Sequence, residues 1–357
     1  MKKLDFYILR KFISTFFFAV LVLAIIACVI DYSQKAQDFV THHAPIGEIL
    51  NFYKNFVPHI SARLYPLFIF IASIFFTSKL AGKSEIIAML ATGMSFNRFM
   101  RPYIVGALLL GGLAFFSNHI VVPNANKQRL KFEDTFVHDN HHLQIEHTHL
   151  QLSPSFYVYV HTFNSDNFTG TRFATDSVSG TRLIEKMVAE SFSYDAKTKL
   201  WTLRDVSFLH NDSISETRRH EAQIVRAYPF TPLDLKPDND IKEALTTPEL
   251  NRYIAKQELH GNANLNVYYV EKHRRTAQPF AGVILTIIAV SLASRKVRGG
   301  SGFHLAIGII ISALYVLSMQ FSSTLSTNAD LNPLLAVWIP NIVFAPVALF
   351  LYLRQIK

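Results

Sequence analysis

Two sets of three long apolar runs flank one polar stretch in this chain. The first set is Phe12–Ile30, Val57–Thr77 and Tyr103–Val122; the second is Phe280–Ala293, Phe303–Phe321 and Leu334–Leu353. A helix needs roughly 20 apolar residues to cross a bilayer, and five of the six runs come close. The fourth is short and is completed by its amphipathic approach, Asn264 to Thr276. Few soluble cores could bury so much contiguous apolar helix. The pattern predicts a helical membrane bundle of six transmembrane helices, three plus three, with one extramembrane domain inserted between the halves.

In the central stretch the period changes. Phe156 to Val160 is dense in aromatic and β-branched residues, as strands are. Arg182 to Tyr194 and Ile214 to Tyr228 read as extended runs, and Trp201 to Phe208 alternates as a half-buried strand does. No helical period of similar strength precedes Pro248. The domain is therefore mostly antiparallel β: a sandwich, a jelly roll or an open groove. Pro229, Pro232, Pro237 and Asp238-Asn239-Asp240 mark an exit linker, and Pro248-Glu249-Leu250 opens a short helix. The expected divisions are 1–122 for the first three helices, 123–262 for the jelly-roll-like β domain with its linker, and 263–357 for the last three helices.

Charge orients this layout. One side carries Lys2, Lys3, Arg10, Lys11, then Lys79, Lys83, Arg98, Arg101, then Arg295, Lys296, Arg298, and finally Arg354 and Lys357. Only Asp5 and Glu85 oppose them. Short loops rich in Lys and Arg stay in the cytoplasm, so both termini are expected there and the large domain outside. The formal net charge of +9 is thereby explained as topology, and a nucleic-acid partner loses its support. The single cysteine, Cys28, excludes an internal disulfide framework. Within the first apolar run it acts as a small hydrophobe; the competing lipoprotein-signal reading of Ile26-Ala27-Cys28 suffers from the late Arg10 and Lys11 and the long run.

Catalytic chemistry is hard to find. Gly82-Lys83-Ser84 resembles the end of a phosphate-binding loop, but Thr77 stands where the earlier glycine is required and no strand precedes it. ATP hydrolysis must then come from another chain. His138, His141, His142, His147 and His149 are concentrated ahead of the first strand, and His147 and His149 would share one strand face. Paired imidazoles can bind Zn²⁺, yet no cysteine or clear carboxylate spacing completes a site, and a solvated, polar domain entry is the plainer explanation. Neither a catalytic residue, a resident metal nor another cofactor is expected.

The loop Lys79 to Ser95 is more informative. Ser84 is a good N-cap, Glu85 sets negative charge at the positive end of a helix dipole, and Gly93 can take the left-handed conformation that closes a helix. A two-turn helix over about 84–93 follows, exposing apolar residues such as Ile87 and Met89 between two spans on the cytoplasmic side. It can seat in a partner's cleft and pass rigid-body motion to both spans, or lie on lipid headgroups.

These features together resemble a known family. Ser84-Glu85-Ile86-Ile87-Ala88-Met89-Leu90-Ala91-Thr92-Gly93-Met94-Ser95 is similar to the cytoplasmic signature of the lipopolysaccharide export permeases, LptF/LptG. Tyr7-Ile8-Leu9-Arg10-Lys11-Phe12, the turn and strand from Asp195 to Leu203, Glu271-Lys272-His273-Arg274-Arg275 with Pro279, and Asn332-Pro333 with Trp338-Ile339-Pro340-Asn341 resemble further family segments in their order. The histidine-rich stretch is a departure. The exit of the first run and Arg298-Gly299-Gly300-Ser301-Gly302 favour the LptG-type subunit.

The resemblance implies a multi-pass permease subunit of a bacterial inner membrane. Two such subunits pair with a cytoplasmic ABC ATPase dimer of the LptB type and extract lipopolysaccharide, which passes to a periplasmic bridge built with single-span LptC-like and LptA-like proteins. It also places Lys35 near the lipid phosphates. Arg63, read as two turns into the second span, is a functional candidate because an ionisable group at that depth is costly. Asp31 could pair with Arg63, and a phosphate could displace it. Two other readings remain: a mechanotransmitting permease that moves no lipid, and a membrane receptor or enzyme with a β-rich ectodomain. The first usually has four spans with its large domain after the first; the second needs an outer catalytic constellation.

Overall fold

The computed structural model describes residues 3–137, 144–164, 167–180, 182–196, 198–211, 216–235, 241–259, 265–295 and 300–356. They form two compact units. One comprises Met1–Phe132, Lys242–Leu250 and Asn266–Lys357; the other comprises Glu133–Ile241 and Asn251–Leu265.

Among the described residues six helices are long and apolar enough to cross a membrane: Lys3–Thr41, Tyr65–Gly82, Phe96–Phe136, Asn266–Ala293, Ala306–Asn328 and Pro333–Ile356. At 1.5 Å per residue the first, of 39 residues, is about twice as long as a hydrocarbon core of roughly 30 Å requires. Tyr65–Gly82 and Asn266–Ala293 are the most buried of the six. Gly282 lets them approach, because a Cβ there would collide with the Tyr65 ring. Polar side chains join helices where no water can: Thr77 Oγ1 donates to the Tyr103 hydroxyl at 3.0 Å, and Asn341 accepts from Tyr315 and donates to the Ala277 carbonyl.

The second apolar run is not one helix. An amphipathic helix, Ile46–Arg63, ends at Leu64, and the span begins at Tyr65 with Pro66 in its first turn. Proline lacks an N–H and its ring crowds the carbonyl four residues earlier, here that of Ala62, which accepts from Gln278 instead. Arg63 is therefore the last residue of a preceding helix rather than a charge two turns deep in a span. Pro123 is handled differently. The helix from Phe96 runs through it to Phe136 after one π-helical stretch, Ser117–Val121, which absorbs the missing bond.

The second unit is built on a six-stranded antiparallel sheet in sequence order: β1 (Gln144–Ser153), β2 (Phe156–Asn164), β3 (Thr169–Ser179), β4 (Arg182–Asp195), β5 (Leu200–Asn211) and β6 (Glu216–Arg226). The β-rich expectation holds, with the connectivity of a meander. A crease crosses the sheet, a row at which the alternation of side chains reverses. The registers align His147, His161, Arg172, Glu190, Asp205 and Ala222 in one row across all six strands. Alternate members His147, Arg172 and Asp205 have φ of 51°, 51° and 52°.

A left-handed residue inside a strand resets the alternation of its side chains, as bulges do. Buried positions accordingly change parity across the row: Val158 and Val160 then Phe163, Met187 and Ala189 then Phe192, Leu203 then Val206. Both halves of the sheet thus turn apolar residues into one core. Phe173 meets Phe192 at 5.3 Å and Trp201 meets Phe230 at 4.8 Å between ring centroids, and the Trp201 indole N–H donates to the Phe230 carbonyl. Trp201 to Phe208 is therefore two alternations out of phase at Arg204-Asp205, not one continuous alternation.

Candidate substrate and coupling sites

Near the C-terminal end of the first span, Lys35 is held from two sides. Its ammonium lies 2.9 Å from Asp31 one turn earlier and 4.8 Å from the centroid of the Phe52 ring. Asp31 also accepts from the Tyr53 hydroxyl at 3.1 Å. Burial, and then the Asp31 charge, raise the Tyr53 phenol above its ordinary range, so it remains a donor. Asp31 thus pairs with Lys35 rather than Arg63, because residues four apart share one helix face.

Arg63 stands instead at a polar pocket lined by His59, Asn118, Glu243, Glu271, Arg274 and Gln278, among others. Its guanidinium makes no salt bridge among the described residues. Burial, with Arg129, Arg63 and Arg274 nearby, pushes the His59 imidazole down to about 3. It is therefore neutral at physiological pH, 3.7 Å from Glu243.

At the other end of the second span, Glu85–Ala91 forms the short helix. Its closure is as expected, with Gly93 at φ 84° and the Thr92 and Gly93 amides bonded to Ala88 and Leu90 carbonyls. Its start differs. Ser84 occupies the N-cap position in the left-handed region, at φ 59°, and its side chain makes no cap hydrogen bond. Ile86 is buried, Met89 packs partly against the core, and Ile87 and Leu90 are exposed.

Residues 6–354 match the family described as Lipopolysaccharide export system permease LptF/LptG. The chain belongs to that family. No curated protein matches it significantly. As an LptF/LptG permease it is a transporter component, a multi-pass protein of the inner membrane serving lipopolysaccharide export.

Sequence reading missed the strongest polar feature of this LptF/LptG chain. Glu271, buried, receives Arg275 Nε at 2.9 Å and is also bridged by Arg274. Arg275 spends its other donors on the Leu245 and Lys242 carbonyls, each at 2.8 Å. Asn126 donates to the Glu243 carbonyl, and Gln278 joins Asn118 to the Ala62 carbonyl. This knot ties the return segment 242–250 to three helices. Its signal was present, for Glu271 stands three and four residues before Arg274 and Arg275, the spacing of helical ion pairs.

The histidines divide. His138, His141 and His142 lie outside the described residues. His147 and His149 do share a surface around Tyr159: the His147 Nδ1 is 2.8 Å from the phenol oxygen, and the His149 ring lies 4.6 Å from the Tyr159 ring. His161 approaches the same oxygen at 3.2 Å. Among the described residues no three His, Cys, Asp or Glu side chains gather as a metal site. Of the loop favouring the LptG type, Arg298 and Gly299 also lie outside the described residues.

Proposed function

We propose that this permease subunit, paired with a second LptF/LptG-type chain, extracts lipopolysaccharide from the inner membrane. A cytoplasmic ABC ATPase dimer drives it, and the lipid leaves through the β domain to LptC-like and LptA-like bridge proteins. The family match over nearly the whole chain carries this reading. It is supported by the short helix that offers Ile87 and Leu90 to a partner while Ile86 anchors it. Orientation follows from the basic loops, with both termini in the cytoplasm and the β domain in the periplasm. The expected division of labour is Lys35, Arg63 and Asp31 toward the lipid headgroup, and Ser84, Glu85, Ile87, Met89 and Gly93 toward the ATPase.

Lys35 is the sharpest of these. An ammonium has three donors and no acceptor, so one can remain on Asp31 while another meets a phosphate. Photocrosslinkers at position 35 should capture lipopolysaccharide, whereas one at Ala196 on the β4–β5 turn should capture much less. Lys35→Arg should transport nearly normally, and Lys35→Glu should lose extraction while ATP hydrolysis persists. Equal capture at both positions, or full transport by Lys35→Glu, would reduce Lys35 to an anchor of the first span. On a Cys28→Ala background, Ala196→Cys should react with an impermeant thiol reagent in intact cells and Asn97→Cys should not; the reverse pattern would invert the topology.

A further inference from the structure

A cleft of about 500 Å³ opens between the N-terminal part of the first span and the end of the second. We propose that it binds the anionic headgroup of a phospholipid such as phosphatidylglycerol, a ligand distinct from the exported lipid and bound at the opposite membrane face. Lys11, Lys79 and Lys83 line it, all exposed and without a salt bridge among the described residues. Three cations beside one carboxylate, Glu85, leave the cleft positive. Ser14 and Thr15 add hydroxyls to its polar wall.

The rest of the lining is apolar. Phe18 and Phe75 are exposed aromatic rings, and Phe76 and Leu80 close the wall behind them. A free anion would leave those rings in water, whereas a diacyl phosphate satisfies both halves of the cleft. Basic pockets between membrane helices on the cytoplasmic side are suited to acidic lipid headgroups, and the volume lies within the range of small-ligand sites. Glu85 belongs both to this lining and to the short helix. A bound lipid therefore touches the element assigned to the ATPase, which makes the inner-leaflet lipid composition an input to coupling. Only the choice of leaflet rests on the orientation proposed above.

The test uses the full-length chain with its co-purifying partners, delipidated in mild detergent. Phosphatidylglycerol or phosphatidylethanolamine is titrated and adducts are counted by native mass spectrometry. Phosphatidylglycerol should bind preferentially, and each of Lys11→Gln, Lys79→Gln and Lys83→Gln should weaken it about five-fold, the equivalent of roughly 1 kcal/mol per basic residue at an anionic surface. Lys79→Arg/Lys83→Arg should retain binding, which separates charge from folding. A phosphatidylglycerol bearing a diazirine in its acyl chain should crosslink to the peptide containing Phe75. Unchanged adducts in the triple Gln variant, displacement by millimolar inorganic phosphate, or crosslinking to a neighbouring chain in place of Phe75 would overturn the proposal. Because binding is read without ATP or export, failure here leaves the transport reading intact, and failed export leaves this site intact.

Discussion

The ionic knot around Glu271 and the short helix at Glu85 belong to one bundle and are attached in opposite ways. The knot crosses four segments with paired charges and carbonyls, and its members are largely buried. The short helix rests on one fully buried side chain, Ile86, with Met89 packed partly beside it, and shows Ile87 and Leu90 outward. A region that must hold several chain segments together concentrates interactions whose loss leaves buried charge. A region that must engage a partner keeps its own attachment small. Variants in the first should therefore register as instability, and variants in the second as lost function with the fold intact.

Arg275→Ala should produce the largest effect. It removes one of the two arginines on Glu271 and leaves the Lys242 and Leu245 carbonyls without their donor, and breaking a buried pair costs up to about 3–5 kcal/mol. Thermal unfolding can be followed in each unit separately, since Trp338 lies in the membrane unit and Trp201 in the β unit. The Trp338 transition should fall steeply. Replacing both partners, Glu271→Leu with Arg275→Met, should recover much of the loss. A single variant with an unchanged transition would mean that the knot holds nothing together.

The β unit gives a second contrast, because its crease depends on backbone conformation instead of charge. Asp205 is exposed, so its side chain has little packing to lose. Asp205→Val forces a β-branched residue into the left-handed region and should cost about 1–2 kcal/mol, whereas Asp205→Gly should be close to neutral. The Trp201 signal reports both. Equal behaviour of the two variants would remove the left-handed row as the origin of the crease.

How much of this was legible in the sequence differs by physical cause. Six spans and the closing Gly93 could be read because apolar run length and left-handed preference are local properties. The break at Leu64 was missed although Pro66 announced it, since hydropathy runs straight across. Strand β1 was read only through His147 and His149, and β3 not at all, because Gln144–Ser153 is rich in polar residues and Thr169–Ser179 in small and polar ones. Paired Arg204-Asp205 inside Trp201–Phe208 did carry the parity change, as two adjacent polar residues in an alternating strand must. At the site, Lys35 and Asp31 were singled out individually, but their pairing and the Phe52 face depend on the fold. Asn126 and the carbonyls of the knot left no pattern at all, because a carbonyl's role is set by what folds onto it.

Glu85→Lys sharpens the comparison at the functional end. Reversing the charge in the first turn costs up to roughly 1 kcal/mol from the helix dipole, and the neighbouring Ile86 contact should survive. The expected outcome is loss of ATPase copurification and transport with little change in either tryptophan transition. Normal copurification with normal transport would remove Glu85 from the coupling surface, and a collapse of the Trp338 transition would show that the helix is a structural element like the knot.

The smallest effect expected concerns the helix Thr247–Leu259, beside the knot. Thr246 and Glu249 form one half of a capping box: the Thr246 amide and hydroxyl both donate to the Glu249 carboxylate, at 2.8 and 2.7 Å, and Lys127 adds its ammonium at 2.8 Å. The Lys127 bond first, and then those from Thr246, lower the Glu249 carboxyl from its ordinary 4.5 to about 2. A depressed carboxylate stabilises the fold above the unfolded value, so the contribution is complete above about pH 4.5 and is lost as pH falls toward 2. Solvent screens this exposed pair, which limits it to less than about 1 kcal/mol. Glu249→Gln keeps an oxygen for the Thr246 amide but gives up the charge. Hydrogen exchange at the first turn should be faster in Glu249→Gln than in the unaltered chain at pH 6, and the difference should shrink as pH falls to 3. A difference that stays constant over that interval would assign the cap to the neutral hydrogen bond alone, with Lys127 as a bystander. A steep loss of the whole membrane transition would instead make this exposed corner part of the knot, and the contrast between tightly tied and lightly held regions would have to be redrawn.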